Sequence, residues 1–267
     1  MAQDESLTHI PNQPDYSILD KPEVLRLAFY PRRIWTSAPP EACDYMIPVE
    51  QNVSVSSRFY PAVPVSPNIL YFHGNGEVAC NYDSIASIYN QCGMGLFVPD
   101  YRGYGQSDGT PTFTDMAADA DAIFRFFLDV VQSKSSDSRV YVMGRSLGGI
   151  SALDIAYRYQ KQISGLIVES GVGNAARFAL RLGFSSEPVE KLSKSITDRN
   201  HSIKTPALVI HGELDSLIPV RTGIELHDSL GSKQKRLVII PGADHNDLMM
   251  VGINQYFSAI RELVFSS

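Results

Sequence analysis

Apolar residues fall along the chain in short compact runs separated by helix-length segments: Asn68 to Phe72, Gly95 to Val98, Arg139 to Met143, Gly165 to Val168, Ala207 to Ile210 and Arg236 to Ile240. Unbroken apolar runs of this length mark strands buried on both faces. Ahead of them, Cys43 to Val49 and Val53 to Tyr60 read as extended, the second alternating as Val53, Val55, Ser57, Phe59. That alternation predicts a half-exposed antiparallel pair at a sheet edge, closed off by Pro61, Pro64 and Pro67. A strand followed by a helix and a further strand requires a parallel neighbour reached by a crossover, because a tight turn cannot reach it. The pattern therefore predicts an α/β architecture, a mostly parallel doubly wound sheet of about eight strands with helices on both faces.

No internal repeat or low-complexity linker divides the chain, so residues 43–267 read as one domain. Residues 1–42 read as an N-terminal segment packing on it, with a short helix within Lys21 to Trp35 stopped by Pro31. Packing is favoured there over contact with a membrane surface. The longest connection without a strand, Gly171 to Thr205, carries Ala175, Ala176, Phe178, Ala179, Leu180, Leu182 and Phe184, apolar around much of a helix. It predicts a small cap at about 171–205. Phe178, Leu182 and Phe184 are candidates to line a substrate pocket, with packing between cap and body the favoured alternative.

In doubly wound sheets function collects at the carboxyl ends of the strands. One such end stands out: Val140-Tyr141-Val142-Met143 runs directly into Gly144-Arg145-Ser146-Leu147-Gly148, with helix formers from Ile150 to Tyr159 beyond. G-x-S-x-G between a strand and a helix is the pattern of a tight, strained turn that holds a serine hydroxyl out from the sheet, its neighbours two positions away being nearly free of side chain.

Net charge of −6 with scattered Lys and Arg gives no basic surface for nucleic acid or an anionic membrane. The first residues are polar and acidic rather than a signal sequence, and no apolar run approaches the roughly 18 residues of a spanning helix, so a soluble, cytoplasmic protein is expected. Cys43, Cys80 and Cys92, an odd number without paired spacing, suit a reducing compartment and argue against a disulfide framework or a zinc site. They read as packing residues.

A serine hydroxyl becomes a nucleophile only beside a base, and the base needs a group to orient it. Of six histidines, His9 and His227 read as solvent-facing, His201 lies in the cap, and His73 and His211 precede glycine at strand ends and brace loops. His245 remains, in a loop after the last strand. Asp215, in Leu214-Asp215-Ser216-Leu217-Ile218-Pro219, is the preferred acid because its apolar neighbours leave the carboxylate in need of a partner; Glu213 and Glu169 are rivals. Asp244 and Asp247 are too close in sequence to orient the ring, and as metal ligands they lack a second cluster. The oxyanion of an acyl-transfer intermediate needs two N–H donors: Leu147, after the nucleophile, and Asn75, or alternatively Gly76, in the loop after the third strand.

Taken together, Phe29-Tyr30-Pro31, His73-Gly74-Asn75-Gly76, Asp100-Tyr101-Arg102-Gly103-Tyr104-Gly105, Gly144-Arg145-Ser146-Leu147-Gly148-Gly149, His211-Gly212 with Asp215, and Gly242-Ala243-Asp244-His245 resemble the α/β-hydrolases, within them the compact BEM46-like and depalmitoylating hydrolases. The resemblance covers about residues 29 to 260. It implies Ser146, Asp215 and His245 as catalytic triad and a small-molecule ester or thioester as substrate; acyl-enzyme chemistry on these residues needs no metal or organic cofactor. Asp244 departs from it, since relatives more often carry a small residue there. Amide hydrolysis, acyl transfer by the same triad, and a binding protein that keeps the fold without turnover are the alternatives. Arg145 is left between bracing loops, which is favoured, and meeting a charged substrate.

Overall fold

The computed structural model describes residues 14–63, 65–134, 137 and 139–265; His9 and the polar stretch around it lie outside them. Eight strands form one sheet in the order β1-β2-β4-β3-β5-β6-β7-β8: β1 Cys43–Glu50, β2 Val53–Tyr60, β3 Asn68–Phe72, β4 Gly95–Pro99, β5 Val140–Arg145, β6 Gly165–Glu169, β7 Ala207–Gly212 and β8 Lys235–Ile240. β2 runs antiparallel to both its neighbours, and from β4 to β8 all pairs are parallel. The protein is an α/β-hydrolase in fold, with helices on both faces of the sheet.

The parallel strands are apolar throughout because each feeds two cores. Leu70 and Phe72 of β3, Val140 and Val142 of β5 and Leu166 and Val168 of β6 face one layer, which includes α1 Pro22–Ala28, α3 Phe113–Lys134 and α4 Gly149–Arg158. Their alternates Ile69, Tyr71, Tyr141, Met143 and Ile167 face the other, built from α2 Asp83–Gln91, α8 Leu248–Val251 and α9 Ile253–Phe265. A period of two in side-chain direction makes both faces visible in one run.

β2 differs from the sequence expectation. Val55 to Tyr60 are all buried, because β2 lies between β1 and β4 rather than at the edge; of the antiparallel pair only β1 is a half-exposed edge strand. The fully buried Arg58 of β2 is balanced by Asp44 at 2.6 Å and Asp83 at 2.9 Å. It also donates to the Thr36 carbonyl at 2.6 Å and lies under the Trp35 ring, tying the N-terminal segment to the sheet. Tyr16, Leu19, Val24, Ala28 and Phe29 of that segment are buried in the first core.

The cap consists of α5 Ala175–Arg181 and α6 Glu187–His201. The apolar stretch does not continue as one helix to Phe184: Gly183, at φ +90°, ends it. The Gly183 N–H donates to the Leu180 carbonyl and the Phe184 N–H to the Ala179 carbonyl, the Schellman arrangement that a left-handed glycine permits. Arg199 of α6 reaches the Asp154 carboxylate of α4 and fastens the cap to the body.

Candidate active site

At the end of β5 the chain turns through Ser146, whose φ of +50° lies in the left-handed region that costs a residue with a Cβ free energy. The two glycines are required by contact. A Cβ on Gly144 would stand 2.4 Å from the Gly148 carbonyl oxygen, and one on Gly148 would stand 2.1 Å from that of Phe72 in β3. Ser146 is buried, and its carbonyl accepts from the Val172 N–H at 2.9 Å, beyond β6. Leu147 follows in a short 3-10 turn that leads into α4. At the start of such a turn the first N–H groups have no acceptor within the helix.

Ser146, His245 and Asp215 form one hydrogen-bonded line. His245 Nε2 is 3.0 Å from Ser146 Oγ, and His245 Nδ1 is 2.8 Å from Asp215 Oδ2. Asp215 Oδ1 accepts the N–H groups of Leu217 and Ile218 at 3.1 and 2.7 Å. Burial pushes the Asp215 carboxyl up, but hydrogen bonds from His211, His245 and the Ile218 N–H outweigh it and hold the group well below the usual carboxylate range. An ionised carboxylate only accepts, so His245 carries its hydrogen on Nδ1 and turns the Nε2 lone pair toward Ser146 Oγ. The rival acids are engaged elsewhere. Glu213 accepts from the Gly242 N–H, and Glu169 from the hydroxyls of Tyr71 and Tyr256.

Three further residues hold this line. His211 Nε2 lies 3.3 Å from Asp215 Oδ2 and 2.7 Å from the Ile218 carbonyl, so it braces the acid loop. The Asp244 carboxylate accepts from the N–H groups of Ser216 and His245, at 2.9 and 2.7 Å, stapling the acid loop to the histidine loop. Arg145 does the same from the nucleophile's side. Its guanidinium donates to the His245 carbonyl at 3.0 Å and the Asn246 side-chain oxygen at 3.2 Å, and pairs with Glu77 and Glu169, each at 3.3 Å. Burial weakens its hold on the proton, and the two carboxylates more than restore it.

Glu77 carries the tie onward, because its carboxylate accepts from the Gly74 N–H at 2.8 Å and the Tyr82 hydroxyl at 2.6 Å. The loop His73 to Gly76 leaves β3 directly beside the turn, with Phe72 paired to Gly144. Asn75 is exposed, but its side-chain oxygen accepts from the Tyr104 hydroxyl at 2.6 Å and the Tyr30 N–H at 2.7 Å. Gly76 has φ +74° and its carbonyl accepts from Arg32. His73 is buried against Asp100 and braces the base of the loop. The base of the loop that carries Asn75 and Gly76 is thus fixed beside the turn that carries Ser146.

A cavity of about 380 Å3 lies between the cap and α7, Val220–Ser229, floored by Val172, Phe178, Leu180, Ile218 and Leu226. Two of its lining residues touch the hydrogen-bonded line, through the Val172 N–H on the Ser146 carbonyl and the Ile218 N–H on Asp215. Of the three cap residues offered by the sequence, Phe178 lines it. Leu182 is exposed, and Phe184 packs on the core beyond the helix end. Among the described residues, no group of three or more His, Cys, Asp and Glu is arranged to hold a metal ion.

The family of hydrolases described as "Serine aminopeptidase, S33" matches over residues 64–184 and 177–249, well over half of the chain. The chain belongs to this family. Within it the chain is similar to the protein bem46 of Schizosaccharomyces pombe, 26% identical over 214 residues that cover 74% of this chain and 67% of the relative. It is also similar to the membrane protein YNL320W of Saccharomyces cerevisiae, 29% identical over 66% of this chain and 62% of the relative. Among solved structures the esterase Pf2001 of Pyrococcus furiosus superposes with a TM-score of 0.71 at 22% identity, covering 87% of this chain and 97% of that one. This S33-type α/β-hydrolase has no helix among its described residues long and apolar enough to cross a membrane.

Proposed function

We propose that the protein is a serine hydrolase that cleaves carboxylic ester or thioester bonds of a small molecule through an acyl-enzyme. The observation that carries this reading is the line from Ser146 Oγ through His245 to Asp215, at 3.0 and 2.8 Å, placed at a left-handed turn after a central parallel strand. In this reading His245 Nε2 takes the Ser146 proton as Oγ attacks the carbonyl carbon, and Asp215 stabilises the imidazolium. The N–H groups of Leu147 and of Asn75, or Gly76 in its place, receive the oxyanion, each such donor lowering the barrier by about 3 kcal/mol. The imidazolium protonates the leaving alcohol or thiol, and water deprotonated by the same ring releases the acid. The sequence of steps requires no metal or organic cofactor.

The ester class agrees with the name of the Pf2001 neighbour. The aminopeptidase in the family description favours a second reading, amide hydrolysis by the same residues. In this reading the protein works in a reducing compartment, which its three free cysteines support. A fluorophosphonate probe is expected to label Ser146, and Ser146→Ala to abolish the adduct. A folded wild-type protein that takes no label is a binding protein rather than a hydrolase. Matched p-nitrophenyl esters, acyl thioesters and p-nitroanilides then separate the ester from the amide reading.

A further inference from the structure

The apolar cavity beneath the cap opens between two arginines. Its floor is hydrophobic, but its rim holds Arg177 and Arg181 of α5 facing Thr222 and Glu225 of α7. Arg177 pairs with Glu225 at 3.0 Å, and Arg221 takes the other oxygen of the same carboxylate at 2.8 Å. Arg181 donates to the Thr222 hydroxyl at 3.1 Å. Two guanidinium groups therefore share one carboxylate and a third has only a hydroxyl as partner, on a protein whose net charge is −6. A local excess of positive charge against that background favours an anion there. Two of the residues that line the cavity, Val172 and Ile218, donate their N–H groups to the Ser146 carbonyl and the Asp215 carboxylate.

We propose that the cavity binds an amphiphilic anion: an acyl chain on the apolar floor, with its reacting carbonyl at Ser146 and a carboxylate at the far end held by Arg181 and Arg177. The substrate is then a monoester or monothioester of a medium-chain dicarboxylic acid. This rests on the serine-hydrolase reading above and names its substrate class. The arrangement divides the labour as small-molecule sites commonly do, with apolar walls supplying contact area and a few polar groups fixing orientation. Arginine suits the far end because its planar fork meets a carboxylate with two parallel hydrogen bonds. Arg181 has only a neutral hydroxyl to give up, whereas Arg177 must share Glu225, so Arg181 is the stronger determinant.

The test compares two substrates of equal chain length, mono-p-nitrophenyl suberate and p-nitrophenyl octanoate. The wild-type protein is expected to turn over the anionic ester with kcat/KM about tenfold above the neutral one, a preference that shrinks with added salt because the rim is solvent-exposed. Arg181→Gln should cut the ratio several-fold, and the Arg177→Gln/Arg181→Gln double variant should bring it to about one or below. A wild-type ratio of one or less, or a ratio unmoved by the double variant, overturns the proposal while leaving the hydrolase reading intact. Loss of the hydrolase reading shows instead as failure of both esters and of fluorophosphonate labelling. In that event calorimetric binding decides: monomethyl suberate should bind the Ser146→Ala protein about tenfold tighter than methyl octanoate, and equal affinities overturn the proposal.

Discussion

Arg145 offers the sharpest test of how the site is held. Its side chain is 12% exposed, and it is the common partner of Glu77, Glu169, the His245 carbonyl and the Asn246 side chain. Replacing it by leucine leaves two largely buried carboxylates without their cation, and removing one partner of a buried ion pair costs about 3–5 kcal/mol. Glu77 gives this penalty a pH signature. Burial pushes its carboxyl up, but Arg145 first, then the Tyr82 hydroxyl and the Gly74 N–H, bring it below the ordinary value. A depressed carboxylate contributes stability that is present above its unfolded pKa, about 4.3, and is lost as pH falls through the folded value. The Arg145→Leu penalty is therefore largest at neutral pH and shrinks as Glu77 protonates. Urea unfolding across that range measures it. A variant within about 1 kcal/mol of wild type at pH 7, below the range for a broken buried pair, would refute the assignment; so would a penalty that stays constant into acid. Arg145→Lys separates fold from chemistry. The ammonium keeps the charge but cannot fork to both carboxylates and the His245 carbonyl. Losing that carbonyl bond, worth about 1.5–3 kcal/mol for a charged donor, should lower kcat by roughly 10- to 100-fold with KM little changed.

Two further outcomes follow from the same geometry. Asp215→Asn presents an amide where His245 needs a pure acceptor, and a wrong-tautomer imidazole should cost kcat on the order of 10^4-fold; because the carboxyl is held low in the folded state, the variant should also lose part of the stability that wild type sheds as pH falls through that range, visible as a flatter acid limb in thermal melts. Gly148→Ala drives a methyl to 2.1 Å from the Phe72 carbonyl oxygen, so β3 and the turn must separate, at a cost of about 1–3 kcal/mol or more; a melting temperature equal to wild type would show that the turn is looser than these contacts require.

Much of this site was legible in the sequence for a physical reason. In a parallel sheet, strand ends lie on one edge, so residues just after each apolar run are neighbours whatever their separation along the chain. That is how Ser146, Asp215 and His245 could be drawn together, and why the third apolar run leads into β5 with its end extended to Arg145. Contacts between side chains of different loops were not legible. Arg145 reaches the His245 carbonyl across 100 positions and Asp244 reaches Ser216 across 28, and nothing in either residue's own neighbourhood specifies the partner. Asp244 did leave a signal, as an acid where relatives more often carry a small residue; its carboxylate replaces, for two N–H groups, the water they would otherwise need. The cap was misjudged at one residue. Leu182 and Phe184 continue an apolar pattern that Gly183 interrupts, and a pattern count gives no weight to a single left-handed glycine.

The ties described for the candidate triad and those of the cap fall on separate residues, and that separation has a consequence. Asp215 and His245 are fixed by His211 and Arg145, at the ends of β7 and β5, and by Asp244 on the loop after β8, all at the carboxyl edge of the sheet. The cap is fixed at its far side, by Arg199 on Asp154 and by Asn200 on the Gly173 carbonyl. The Arg177 and Arg181 side chains tie the other side of the cap to Glu225 and Thr222 of α7, and none of these bonds involves His211, Asp244 or Arg145, so the chemistry does not depend on them. Substitutions there can change what the cavity accepts without shifting Ser146, whereas substitutions at Arg145 change turnover for every substrate alike. A variant panel spanning both sets should split into two groups: one altering the ratio between anionic and neutral esters, the other lowering both in proportion. An Arg181 variant that scaled both substrates equally would mean that the rim acts through the triad after all, and that the two sets of ties are coupled.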